Sequence, residues 1–180
     1  MLGRLMLNVR FWPLFWTQFL GAFNDNFFKN ALVILITFRA VHVAGVPPEQ
    51  MVALSAAIFI APYFLFSGVA GQLADKYDKA AIVRLTKLGE IAVMWMGATA
   101  FAVDSVEMLM GVLFFMGLQS TVFGPCKYAI LPQHLHDDEL VAGNALVEMG
   151  TYLAILLGTI AGGVLINLDG GDRIVSAGVI

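Results

Sequence analysis

The stretch MVALSAAIFIAPYFLFSGVAGQLA, beginning at Met51, contains no charged residue before Asp75. An apolar run of roughly 20 residues is what a helix needs to cross the hydrocarbon core of a bilayer, about 30 Å thick. In that solvent each backbone N–H and C=O must find its partner inside the segment, which a helix provides. Comparable runs recur along the chain. They predict spans at residues 11–38, 51–73, 80–103, 107–127 and 140–168. Arg84, Lys87 and Glu90 lie in the first half of the third run, so its lipid-facing part is placed at 88–103. The fifth run contains a single charge, Glu148. A further run, IVSAGVI, starts at Ile174 and is expected to be the beginning of a sixth helix that continues past residue 180. The expected fold class is an all-helical membrane bundle.

Composition agrees. The 180 residues are 59% hydrophobic and 13% charged, against about 45–50% and about 25% in an ordinary soluble domain. Mean hydropathy is +0.83. A net charge of −3 gives no footing for nucleic acid. The single cysteine, Cys126, excludes an internal disulfide and reads as a small packing residue. The first apolar run is too long for a cleavable signal segment. His134 and His136 are only two residues apart, a spacing too common to define a metal site, and with His42 they are read as loop residues. No cofactor is expected.

Lysine and arginine near the span ends set the expected orientation. An N-terminus on the inner side gathers Arg4, Arg10, Lys76, Lys79, Arg84, Lys87 and Lys127 there, leaving Arg39 and Arg173 outside. The segment 39–50, the turn near Asp104 and the turn at 168–172 would then face outward.

The polar residues inside the spans carry the functional information. The first span contains GAFNDNFFKN, residues 21–30. A charge at mid-bilayer costs about 2.5–3.5 kcal/mol on insertion scales, so such residues face a bundle interior or a wet cavity. Asp25 and Lys29 are four apart, share a face and are placed to pair. Gln18 lies on the same face, while Asn26 and Asn30 form a second four-residue pair around the helix. The fifth span repeats the pattern with Asn144, Glu148, Thr151 and Tyr152, and Glu148 needs a partner, either Lys127 or Lys29. Gly158 and Gly162 form a G-x-x-x-G, which permits close helix approach. Glu90, one turn from Lys87, reads as answering that lysine near the membrane surface. Pro62 can kink the second span. Two readings of the polar set stand side by side: ion pairs that lock helices together, and contacts for a substrate or ion in a central cavity.

The segment GQLADKYDK, residues 71–79, resembles the signature loop of the major facilitator superfamily, G-x-L-A-D-R-x-G-R-K. Gly71, Leu73, Ala74, Asp75, Lys76 and Lys79 match in kind, while Asp78 stands where glycine is usual and is expected to take a left-handed turn. Gly71 would permit close contact, and Asp75 would cap or face a helix N-terminus. The resemblance implies an inner gating loop built on Gly71, Asp75, Lys76 and Lys79. AFNDN (22–26), GPCKYAIL (124–131) and AGNALVEMGTYLAILLGTIAGGVL (142–165) narrow the resemblance to the lysophospholipid transporter (LplT) family. The F-N-D-N-F-F-K form also resembles the version fused to a glycerophospholipid acyltransferase and an acyl-carrier-protein synthetase.

This resemblance implies the N-terminal six-helix half of a transporter, with helices one and four lining a central site. It implies movement of lysophosphatidylethanolamine and related lysolipids from the outer to the inner leaflet of the bacterial inner membrane, where they are reacylated. Asp25 and Glu148 would hold an ethanolamine ammonium, Lys29 or Lys127 the phosphate, and Asn24, Asn26 and Asn144 the glycerol and ester. Ser55, Ala56, Ala57, Gly158 and Gly162 would leave room for the acyl tail. Three rivals remain: a proton-coupled drug or metabolite exporter with Asp25 or Glu148 titrating, a non-transporting anchor for an acyltransferase, and a membrane enzyme. No nucleophile–base set, metal spacing or nucleotide loop in the sequence supports the last.

Overall fold

A computed structural model of the protein describes residue 5 and residues 8–38 and 46–178. Arg4 and Arg39, which contribute to the expected orientation, and His42, expected in a loop, lie outside the described residues. The helices are α1 (Trp12–Phe38), α2 (Pro48–Lys76), α3 (Lys79–Ala102), α4 (Val106–Ala129), the short α5 (Leu131–His134), α6 (Leu140–Leu165) and α7 (Gly171–Gly178). A helix is present at each of the five expected spans, within a few residues of its expected ends.

Local chemistry sets several of those ends. Pro48 occupies the first turn of α2, where its missing N–H costs nothing. Ser105 caps α4 by accepting from the Met108 N–H at 3.3 Å. Between α2 and α3 only Tyr77 and Asp78 are non-helical. Asp78 is extended (φ −60°), not left-handed as expected, and its carboxylate accepts from the N–H groups of Ala80 and Ala81 at 3.4 and 3.1 Å. It therefore caps α3, the role expected of Asp75, which is exposed in the last turn of α2. An aspartate at this place does by capping what glycine does by backbone freedom.

Among the described residues, α2, α4 and α6 are long and apolar enough to cross a membrane. α1 and α3 are as long but less apolar, because Asn24, Asp25, Lys29, Lys87 and Glu90 lie within them. α1 packs along α6, α4 lies between α2 and α3, and α7 runs against α3. A Cβ on Gly158 or Gly162 of α6 would overlap the backbone carbonyl oxygens of Phe23 and Phe27 in α1. These two helices therefore touch main chain to main chain, as a small-residue motif allows. Gly158 and Gly162 leave no space for an acyl tail. Gly117 of α4 meets the Phe59 carbonyl of α2 in the same way, and α2 continues as a helix through Pro62 beside it.

Gln18, only 3% exposed, ties α1 to α6: its side-chain nitrogen donates to the Val147 carbonyl at 2.7 Å and to Thr151 Oγ1 at 2.8 Å. At one end of the bundle an apolar cluster gathers Phe11, Phe15, Leu131 and Val147. At the other end a larger cluster gathers Phe28, Leu32, Phe101, Leu113 and Met116. Along α1, residues 18–25 fall between the two clusters, and along α4 so do residues 119–124. Cys126 is fully buried. The polar layer is thus held between two greasy ones.

Candidate functional site

A cavity of about 280 Å³ occupies that polar layer. From α1 it is lined by Gln18, Gly21 and Asp25, and from α2 by Tyr63. From α3 it is lined by Thr86, Lys87 and Glu90, and from α4 by Gln119, Ser120, Phe123 and Lys127. Tyr128 and Thr151 complete it. Asp25 is the midpoint residue of α1, so the cavity lies at mid-depth in the bundle. Two carboxylates and two ammonium groups face one hollow whose ends are closed by apolar packing.

Each charge has an answer. Asp25 accepts a hydrogen bond from Ser120 Oγ at 2.9 Å. Lys127, with a side chain only 12% exposed, reaches from α4 to pair with Glu148 of α6 at 3.6 Å. Tyr128 donates to the same Glu148 carboxylate. Of the two partners expected for Glu148, the structure selects Lys127. On α3, Lys87 pairs with Glu90 and stands 4.7 Å from the centre of the Phe123 ring. The side-chain nitrogen of Gln119 is buried with no hydrogen-bond partner among the described residues. A donor and four charges in one hollow suit a ligand carrying both signs of charge and oxygen acceptors.

The other expected site residues fall elsewhere. Lys29 forms no ion pair with Asp25, and its ammonium stands 4.2 Å over the Phe59 ring of α2. Two side chains four apart share a helix face, but the long lysine stem can reach past its neighbour, and each found a partner on a different helix. Asn26 donates to the Ala22 carbonyl at 2.7 Å, Asn30 to the Asn26 carbonyl at 3.2 Å and Asn144 to the Leu140 carbonyl at 3.0 Å. These amides bond their own helix one turn back. Asn24 borders a second, more apolar hollow of about 540 Å³ between α1, α3 and the end of α7, lined also by Leu20, Ile91, Met94 and Gly178. Ser55 is buried and bonded to the Val52 carbonyl, while Ala56 and Ala57 are exposed. Gly71 lies within α2, and Asp75 and Lys76 are exposed at its end. Lys79 opens α3. His134 bonds the Ile130 carbonyl at 3.1 Å.

Sequence reasoning missed Tyr63, Gln119 and Ser120, and placed Lys87 and Glu90 at the membrane surface. The three-residue spacing of Lys87 and Glu90 inside a span was the signal available for that pair.

Membrane-length helices around a charged, mid-depth cavity define a multi-pass membrane protein of the transport class. The chain belongs to the Major Facilitator Superfamily, whose profile matches residues 14–173. It is similar to the lysophospholipid transporter LplT of Salmonella heidelberg (strain SL476), of Salmonella enteritidis PT4 (strain P125109) and of Salmonella typhi. In each case identity is 33% over 151 residues, covering 82% of this chain and 34% of the relative. The chain thus spans about a third of the length of these relatives. No solved structure matches it.

Proposed function

We propose that this chain is the N-terminal half of a lysophospholipid transporter, and that the mid-depth cavity receives the lipid head group. The observation that carries this reading is the meeting of Asp25, Lys87, Glu90 and Lys127 around one hollow between apolar layers. A lysophospholipid head brings a phosphate, a glycerol hydroxyl and, in the ethanolamine form, an ammonium. Lys127 is a compact point charge suited to the phosphate, with Glu148 and Tyr128 holding it in place. Asp25 takes the ammonium, and Ser120 and Gln119 serve the glycerol and ester oxygens. The similarity to LplT supports lysolipid as the substrate class.

In this reading the substrate moves from the outer to the inner leaflet of the bacterial inner membrane, with the N-terminus on the cytoplasmic side. The short α2–α3 connection, with Asp75, Lys76 and Lys79, would act as the inner gate against the second half of the transporter. A fused or associated acyltransferase and acyl-carrier-protein synthetase would consume the delivered lipid. The test is uptake of labelled lysophosphatidylethanolamine by vesicles carrying the full-length protein. Time-dependent uptake above empty vesicles is expected, and uptake equal to empty vesicles defeats the proposal. If uptake instead follows an imposed proton gradient for an unrelated small solute and is lost in Asp25→Asn, the exporter reading replaces it.

A further inference from the structure

The pair Lys87–Glu90 lies within a single helix, three residues apart. It therefore joins no two helices, unlike Lys127–Glu148, which bridges α4 and α6. A buried ion pair is weak evidence for stability, because desolvation offsets much of the attraction. The ion pair itself links no two helices; Lys87 reaches α4 through the Phe123 ring instead. Yet both side chains are largely covered, 24% and 14% exposed, and face the hollow that holds Asp25. Ionisable groups kept at such depth point to function rather than packing.

Their seat is specific. A Cβ on Gly21 of α1 would overlap Lys87 Nζ and stand 3.3 Å from Glu90 Oε1. The charged ends rest on bare α1 backbone, one turn from Asp25, and Phe123 of α4 backs the ammonium. Lys87 and Glu90 also border the apolar hollow beside Leu20 and Ile91, so they form the wall between the two spaces. A pair within one helix can open without parting any helices, which leaves both charges free to be exchanged for those of a ligand.

We infer that Lys87 and Glu90 are a second, openable charge pair of the substrate site, taking the opposite charges of a zwitterionic phospholipid head, with Gly21 as the positioning residue that keeps their seat clear. This rests on the functional reading above. When a head group enters, the Lys87 ammonium passes from Glu90 to the phosphate, and Glu90 joins Asp25 in holding the amine.

The test uses the full-length protein in vesicles, labelled lysophosphatidylethanolamine, and two variants. The charge-swapped Lys87→Glu/Glu90→Lys keeps an internal pair but reverses its polarity in the cavity. Gly21→Ala keeps every charge and displaces only the flexible end of Lys87. The swap is expected to leave a folded, monodisperse protein and to lower uptake about tenfold or more. Gly21→Ala is expected to raise KM about fivefold while kcat stays within about twofold, the mark of weakened binding. Uptake by the swap within about twofold of wild type, or an unchanged KM in Gly21→Ala, overturns the inference. Should the swap fail to fold, Gly21→Ala decides alone. Wild-type protein that moves no lysolipid sinks the functional reading and this inference with it. Normal wild-type transport with indifferent variants sinks only this one.

Discussion

α1 is met in opposite ways by α6 and by two long side chains of α3. Against α6, Gly158 and Gly162 press on the carbonyls of Phe23 and Phe27, and Gln18 clasps Val147 and Thr151. Against α3, Gly21 presses on the tips of two charged side chains. On the first face a missing side chain allows backbone to touch backbone, and nothing there can yield. On the second it allows a charged, flexible group to lie where a ligand can later displace it. The same residue type builds a fixed seam on one side of a helix and an adjustable one on the other.

The largest effect expected from this contrast is at the fixed seam. Gly158→Val or Gly162→Val drives a branched side chain into main chain, and overpacking of this kind costs about 1–3 kcal/mol or more. The full-length protein should lose much of its folded, detergent-stable population, whereas Gly21→Ala should melt close to wild type. Equal losses at both positions would erase the distinction. Next comes Glu148→Leu, which strips the shared acceptor from Lys127 and Tyr128. An expected loss of about 1–3 kcal/mol should appear as a lower melting temperature, largely recovered when Lys127→Leu is added. Asp78→Ala removes the α3 cap and should cost about 1 kcal/mol, read as a lower melting temperature. For transport the smallest effect is expected at Lys29→Met, which gives up a ring contact and no group lining the cavity. Uptake should remain within about twofold of wild type, and a severe transport defect would return Lys29 to the substrate path.

The helices were legible because long apolar runs speak through local physics alone. Asp25, Lys127 and Glu148 were legible because a charge in an oily run needs a reason. Asn26, Asn30 and Asn144 were not, since an amide inside a helix can bond the preceding turn or a ligand, and spacing is the same for both. Lys29 was misread because a lysine stem can leave its helix face. Lys87 and Glu90 were misread because they follow the basic residues of the α2–α3 connection and so look like part of the membrane surface. Only the reach of both side chains from α3 to Gly21 of α1 carries them to the level of Asp25. The left-handed turn expected at Asp78 gave way to a cap for a similar reason: resemblance gave the position, and the carboxylate's own hydrogen bonds set its backbone.

The central claim is that the layer around Asp25 is a wet cavity that a lysolipid head enters. Ser120, which donates to Asp25 there, can report on it directly. In full-length protein whose native cysteines are replaced, Ser120→Cys should react with a small water-soluble thiol reagent, and lysophosphatidylethanolamine should slow that reaction in a concentration-dependent way. A thiol that stays unreactive in folded protein, or one labelled at the same rate with saturating lysolipid present, would contradict the account.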